Sequence, residues 1–436
     1  MYIKKVSIQN IRSIDHFEME FEEPAGWHVV IGDNGSGKSS VVRAISLCLI
    51  GPRDAQALRL PLIDWIRKGE NEADVSLSIQ LDSEYDMIAQ VSQVSLFHPT
   101  GDITPAKIKI FKEFNSGFEL GKIKDNTDGL FSPTSYVWSG EYGWFSAAFG
   151  PFRRFTGGEK EWSKVYRSNP KAAAHLSIFG EDVALTESIE WLSHMKFQSL
   201  EKDKNAINIL EAIKKFINAG NLLPNGVIIH DVTSEGVFFK DSNSFQIDVT
   251  QLSDGYRSML SMLFELIRQL VKTYGEARTF DRIRQNDLII DLAGVVLIDE
   301  VDAHLHPSWQ TRIGQWFTKY FPNIQFIVTT HSPLVCRACE KGSIWHLAAP
   351  GSDEESGEIT GIARKRLIYG NILDAYGTEA FGDNVSISED AALKRNRLGE
   401  LYEKSMLGLI NKKEELEFEE LKAILPTFKV NAPKAQ

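Results

Sequence analysis

Val295-Val296-Leu297-Ile298-Asp299-Glu300 is the stretch on which the reading of this chain turns. An unbroken apolar run predicts a strand buried on both faces, as in the middle of a parallel sheet. Two adjacent carboxylates end it, and the carboxyl ends of such strands are where open α/β sheets bind ligands. Upstream, Trp27 to Ile31 predicts another buried strand that runs straight into Gly32-Asp33-Asn34-Gly35-Ser36-Gly37-Lys38-Ser39, a match to the pattern G-x-x-x-x-G-K-[ST]. Downstream, Ile324 to Thr330 predicts a third, closed by His331.

Glycines at this spacing let successive backbone amides curl around phosphate oxygens, and the helix that follows points its positive end at them. Asn34, Gly35, Ser36, Gly37, Lys38, Ser39 and Ser40 are therefore the expected phosphate contacts. Lys38 should meet the β- and γ-phosphates of ATP, and Ser39 should ligate Mg²⁺. Asp299 is expected to hold the same Mg²⁺ through water, and Glu300 to polarise the water that attacks the γ-phosphoryl group. Leu252-Ser253-Asp254-Gly255-Tyr256-Arg257 opens a helix with Ser253 at its N-cap, which standing alone is either plain capping or a seat for an anion. His304 and His306 lack the further ligands a metal site requires.

Around these motifs the pattern alternates between periods of two and of 3.6. Ile3, Val6 and Ile8, then Phe17, Met19 and Phe21, predict two strands about a turn at Arg12-Ser13. Ser40 to Ile50 predicts a buried helix stopped by Gly51-Pro52, and Asp74 to Phe114 an antiparallel layer. Residues 115 to 170 give no period; Trp144 to Phe155 reads as an ordered loop, touching nucleotide or partner or merely anchored by its aromatics. Thr186 to Lys202 and Asn205 to Ala219 predict a short helical arm with no heptad run, then come strands at Val227 to Val232, Gly236 to Lys240 and Phe245 to Val249. Leu398, Leu401, Tyr402 and Leu409, with Leu416, Phe418, Leu421 and Ile424, predict a helical hairpin, for packing or for docking a partner. The domain reading is a head over 1–348 interrupted by a loop and helical insertion at 115–224, a helical extension at 349–426, and a disordered tail at 427–436.

The 436 residues, 43% apolar, leave room for a sizeable core, and a net charge of −11 argues against a broadly basic nucleic-acid surface. Three cysteines are too few for a disulfide framework, and Cys336-Arg337-Ala338-Cys339 lacks a second ligand pair. With neither a signal-peptide pattern nor a run of about 20 apolar residues, the chain is expected in the cytoplasm, away from the membrane.

Asn10, Arg12, Gly32 to Ser39, Leu252 to Arg257, Asp299, Glu300, Asp302 and His331 together resemble the RecF/SMC/OLD branch of ABC ATPases, over roughly residues 1 to 50 and 225 to 348. The resemblance implies an α/β fold: an ABC-ATPase head whose P-loop parallel sheet carries helices and an antiparallel β layer, with a short helical insertion in place of a coiled coil and a helical C-terminal extension. It also implies that Ser253 and Gly255 meet the γ-phosphate bound to the opposite protomer, that Arg12 reaches the nucleotide, that Asp302 occupies the D-loop position, and that His331 senses the γ-phosphate. The Q-loop glutamine of the branch is not recognisable, and Arg153 or Arg154 stands in that region. Over Leu297 to Pro333 the chain is similar to standalone ATPases of prokaryotic antiviral systems, the PtuA family of Septu and the retron-associated ATPases, which act with an HNH nuclease; the ATPase of the PARIS system is a second resemblance. About 105 residues follow His331 without an acidic cluster of TOPRIM type, so a nuclease is expected on another chain. The expected function is a slow ATPase that forms an ATP-sandwiched dimer, or a higher even-numbered oligomer, and controls an HNH-like or TOPRIM-like nuclease through which it would reach nucleic acid. The alternatives are a RecF-like repair ATPase that binds DNA directly and a scaffold that holds ATP without hydrolysing it.

Overall fold

A computed structural model describes residues 1–82, 84, 86, 103–115, 118–127, 133, 137–138, 144–153, 169–180, 186–220, 222–223, 226–241, 243–352, 354–370 and 389–424. Ile3, Val6 and Ile8 of β1 (Tyr2–Ile11) are all buried, although the first two are three positions apart. A register shift against β4 (Glu72–Gln80) between Ile3 and Lys5 accounts for this, because one extra residue flips the pleat and returns the apolar side chains to one face. With β2 (Ile14–Glu20), β5 (Ile103–Asn115) and β6 (Phe118–Asp125) they form an antiparallel sheet in the order β2-β1-β4-β5-β6.

The second sheet is parallel apart from one edge, in the order β14-β13-β3-β12-β11-β7. Its strands are β3 (Gly26–Ile31), β7 (Ser146–Phe149), β11 (Gly294–Ile298), β12 (Ile324–Thr329), β13 (Ile344–His346) and the antiparallel β14 (Gly357–Glu358). Every residue of β3, β11 and β12 is buried, as strands covered on both faces require. A third sheet pairs β8 (Ile228–Val232), β9 (Val237–Lys240) and β10 (Gln246–Asp248).

Helix α1 (Lys38–Ala57) lies in the core shared by the first two sheets, its Val41, Val42, Ile45 and Leu49 buried with Ile8 and Val75 of one and Val30 and Ile327 of the other. The expected stop at Gly51 is a kink instead. Gly51 has φ 79° and ψ 167°, a Cβ there would fall 2.5 Å from the Trp138 indole, and the chain then resumes helix through Ala57. Pro52 is tolerated because it begins a new segment, where its missing N–H leaves no bond unmade.

Two strands lie inside the stretch read as loop and helix. β6 was hidden by Gly121 and charge, and within the loop expected at Trp144 to Phe155, of which residues 144–153 are described, lies β7: Ser146-Ala147-Ala148-Phe149 pairs in parallel with β11 from Val295 to Ile298. Alanines are weak strand formers, so the pairing with an all-buried neighbour decides the matter, not local preference. Beyond α2 (Pro170–His175), the arm consists of α3 (Thr186–Leu200) and α4 (Lys204–Ala219), with Asp203 capping the second by accepting the amides of Asn205 and Ala206. Phe216 anchors α4 to the head, its ring 5.7 Å from those of Trp316, Tyr320 and Phe321. Helix α5 (Asp254–Tyr274) follows the motif at Leu252, and α6 (Ile313–Tyr320) and α7 (Gly361–Tyr369) complete this unit, Met1–Ile372.

The second compact unit, Leu373–Gln436, contains the hairpin of α8 (Glu389–Met406) and α9 (Lys412–Ile424). Leu401, Phe418 and Leu421 are its buried centre, with Arg397 bonded to Glu417 and Lys404 to Glu414 across it. Leu409, Leu416 and Ile424, read as part of the apolar stripe, are exposed. Arg154 and the tail at 427–436 lie outside the described residues.

Two buried histidines pin the layers. His175 of α2 holds Ser46 of α1 at 2.8 Å and Ser146 of β7 at 2.9 Å, and His28 of β3 holds Ser343 at 2.8 Å. Burial, the largest cause, lowers their pKa values to about 3 and about 4. The folded chain therefore binds fewer protons than the unfolded one once pH drops below the ordinary histidine value, so this stability is complete above about pH 6.5 and drains away as pH falls toward 4. The urea midpoint should fall over that window, and the fall should be shallower in His175→Gln; an unchanged slope in the variant refutes the assignment.

Candidate active site

The carboxyl ends of β3, β12 and β11 lie side by side, with Thr329 opposite Val30 and Val328 opposite Ile298. From the first springs the loop of residues 32 to 39. Gly37 is the N-cap of α1 with φ 109°, and a Cβ would approach Ser13 Oγ to 2.7 Å, so only glycine fits this turn. Asn34 and Gly35 are exposed at the loop tip, Ser36 and Ser40 are buried, and Ser39 is half-buried. Lys38 folds back over the loop, donating to the carbonyls of Gly32 at 2.7 Å and Asp33 at 2.8 Å. Burial lowers its pKa, opposed by Asp33, Glu300, Asp299 and Asp302.

At the end of β11 the two acids diverge. Asp299 is 1% exposed; its Oδ1 accepts from Thr329 Oγ1 at 2.6 Å, while Oδ2 has no hydrogen-bond donor among the described residues and faces Arg43 at 4.0 Å. Glu300 sits at φ 46° with its amide donating to the same Thr329 hydroxyl at 2.8 Å. Asp302 accepts from Thr330 Oγ1 at 2.5 Å. His331 is exposed just past β12; burial and then Lys38 lower its pKa, against the pull of Asp302, Glu300 and Asp299. Lys38 and His331 thus lie in the field of the same three carboxylates.

A buried carboxylate oxygen without a donor is costly unless a cation or water meets it. Asp299 Oδ2, with the hydroxyl of Ser39 at the start of α1, is an oxygen donor set of the kind Mg²⁺ takes, so the residues fit that ion. The amides at the α1 N-terminus, with Lys38, suit the phosphates of a nucleotide.

Arg12 has φ 50° and lies 4.9 Å over the Trp65 ring; burial and then Arg43 lower its pKa, with Asp64 opposing. It therefore feels the charge of Arg43, the arginine that faces Asp299. Ser253 is the exposed N-cap of α5 and its side chain makes no capping bond. Gly255, whose Cβ would fall 2.7 Å from the His304 carbonyl, packs against the turn after the acids. Neither residue is hydrogen-bonded to the loop of residues 32–39 among the described residues. No group of three or more His, Cys, Asp or Glu able to hold a metal occurs among the described residues.

Thr329, Arg43 and Arg153 were not picked out as site residues. Thr329 could have been, since its strand end must neighbour the acids once three parallel strands are assigned. Arg153 is bonded to the backbone of the acids. It is buried behind the acids, with donors to the carbonyls of Asp299 at 3.1 Å and Glu300 at 3.0 Å.

A protein-family model described as "AAA domain, putative AbiEii toxin, Type IV TA system" matches residues 28–337. The Septu protein PtuA of Bacillus mycoides is 26% identical over 348 residues, 79% of this chain and 40% of that protein. The retron Vc95 probable ATPase of Vibrio cholerae is 25% identical over 371 residues, 70% of this chain and 66% of that one. The chain therefore spans less than two thirds of the length of these relatives. Among solved structures, an SMC head bound to the C-winged helix domain of ScpA covers 82% of this chain and 98% of its own at 18% identity and a TM-score of 0.48. No helix among the described residues is long and apolar enough to cross a membrane.

Thr329→Val keeps the shape of the strand end and removes the hydroxyl that both Asp299 and Glu300 use. It should cost about 1–3 kcal/mol of unfolding free energy, because a buried carboxylate oxygen and a backbone amide each lose their partner. Denaturant titration checks this, and a change within about 0.5 kcal/mol, the level of a neutral surface substitution, counts against the bonds.

Proposed function

The chain belongs to this AAA-domain ATPase family, and on that premise we propose that it binds and hydrolyses ATP with Mg²⁺, between two copies of itself, as the ATPase subunit of a prokaryotic antiviral complex with a separate nuclease effector. The observation that carries the ATPase part is that Lys38 and His331 lie in the field of Asp299, Glu300 and Asp302 at the ends of neighbouring strands, with Oδ2 of buried Asp299 lacking a hydrogen-bond donor among the described residues. The relatives named for Septu and retron systems support the defence part.

In this reading Lys38 leaves the Gly32 and Asp33 carbonyls for the β- and γ-phosphates. Asp299 and Ser39 would hold Mg²⁺, which supplies positive charge to the phosphate oxygens. Glu300 orients and polarises the attacking water, and its left-handed backbone, fixed through Thr329, keeps the carboxylate from relaxing away. Catalysis of this kind rests on position and electrostatics, not on covalent chemistry. Asp302, held by Thr330, and His331 would flank the γ-phosphate, and Arg12 would reach the nucleotide. Ser253, its hydroxyl uncommitted, and Gly255 would complete the site of the second protomer, and the head would act in the cytoplasm.

Glu300→Gln should slow turnover by at least about a hundredfold, the usual worth of a general base, while keeping nucleotide bound. Lys38→Ala should lose nucleotide, and Ser253→Arg should leave nucleotide on a protomer that no longer pairs. The decisive experiment is the native mass of the Glu300→Gln protein, co-expressed with the products of neighbouring genes, with and without Mg-ATP. An even-numbered assembly carrying a nuclease is the expected result. A bare ATP-dependent dimer that captures DNA would favour direct action in repair, and a monomer under both conditions would rule out the shared site.

A further inference from the structure

Arg153 is 4% exposed, and among the described residues none of its hydrogen bonds goes to a carboxylate. Its Nε donates to Ser258 Oγ on α5 at 3.0 Å. Nη1 donates to the Asp299 carbonyl at 3.1 Å, and Nη2 to the carbonyls of Glu300 at 3.0 Å and Val301 at 3.5 Å. Buried cations ordinarily pair with anions. Here the carboxylates of Asp302, Asp299 and Glu300 act on the guanidinium only through space, and burial leaves its pKa at about 10, so it stays charged at neutral pH.

The target of the fork is informative. Glu300 is a non-glycine residue at φ 46°, a conformation that persists where its surroundings dictate it. Its amide is held by Thr329 from one side and its carbonyl by Arg153 from the other. The same guanidinium grips α5 at Ser258, one turn beyond Ser253 and Gly255. Only arginine offers donors in a rigid plane that can serve two elements at once; a lysine ammonium is a single point.

We propose that Arg153 is a positioning residue that clamps the Glu300 turn and ties it to α5, so that a displacement of α5 on engaging the second protomer's nucleotide reaches Glu300. This rests on the ATPase reading above. Arg153 acts on hydrolysis through the backbone of Glu300, and it regulates the site in the same chain whose Ser253 and Gly255 serve the opposite one.

Wild type, Arg153→Lys, Arg153→Met and Ser258→Ala are compared for kcat and KM at a series of protein concentrations, for affinity toward a fluorescent ATP analogue, and for melting temperature. Nucleotide affinity should stay within about twofold in all of them, while kcat falls about tenfold or more in Arg153→Met and less in Arg153→Lys, a change confined to the transition state. Ser258→Ala should keep nucleotide affinity and lose the rise of rate with protein concentration. If Arg153→Met does not fold, the other two variants decide. Wild-type kcat and concentration dependence in both would overturn the proposal, as would losses of kcat and nucleotide affinity in step with melting temperature. A wild-type protein without ATP turnover would overturn the ATPase reading itself, and the clamp with it.

Discussion

Thr329 Oγ1 accepts the Glu300 amide at 2.8 Å and donates to Asp299 Oδ1 at 2.6 Å, and through that hydroxyl one strand dictates the shape of its neighbour's end. The parallel pairing of β12 with β11 makes the meeting unavoidable, since Ile298 lies opposite Val328 and the next residue on each strand is therefore at hand. Without this bond the chain after Ile298 would be free to leave the sheet in an ordinary conformation. With it, the Asp299 carboxylate is held at the strand end and Glu300 keeps its left-handed backbone. The core exists to hold three strand ends in this register, and the apolar runs of β3, β11 and β12 are the means.

Charge is arranged around that point against the character of the whole chain. The sequence carries a net −11, yet Lys38 and Arg43 from α1 and Arg153 from the segment after β7 approach the acids, and Arg12 feels the charge of Arg43. Each is partly or wholly out of water, where a cation is worth more than on the surface and is disfavoured unless anions answer it. Asp33, Asp299, Glu300 and Asp302 answer them, with room left at Asp299 Oδ2.

How much of this the amino-acid order revealed depends on the range of the interaction involved. Strands β3, β11 and β12 were legible because burial on both faces writes itself as an unbroken apolar run, and the arm because Phe216 and its neighbours repeat at helical spacing. The candidate site was legible where glycine and acid positions are dictated locally, as at Gly37 and Asp299. β7 was not, because Ser146-Ala147-Ala148-Phe149 becomes a strand only by lying against β11, which is 149 residues away in register at Val295 and Ser146. The kink at Gly51 was read as an end, since nothing local says that Pro52 starts a fresh turn. Arg153 was noticed for its charge but its contacts were not, because most of its partners are carbonyl groups, and carbonyl groups have no sequence signature.

The bulge near the N-terminus has a mechanical meaning. Where β1 slips register between Ile3 and Lys5, the main-chain groups of Ile3 are taken by a buried side chain from the other sheet: the Gln325 amide accepts from the Ile3 N–H at 2.8 Å and donates to its carbonyl at 2.9 Å. Gln325 belongs to β12, four residues before Thr329. A single side chain thus stands in for a strand and splices the antiparallel layer onto the central one. Such a splice fixes where the outer layer sits along β12, the strand whose far end holds the two acids.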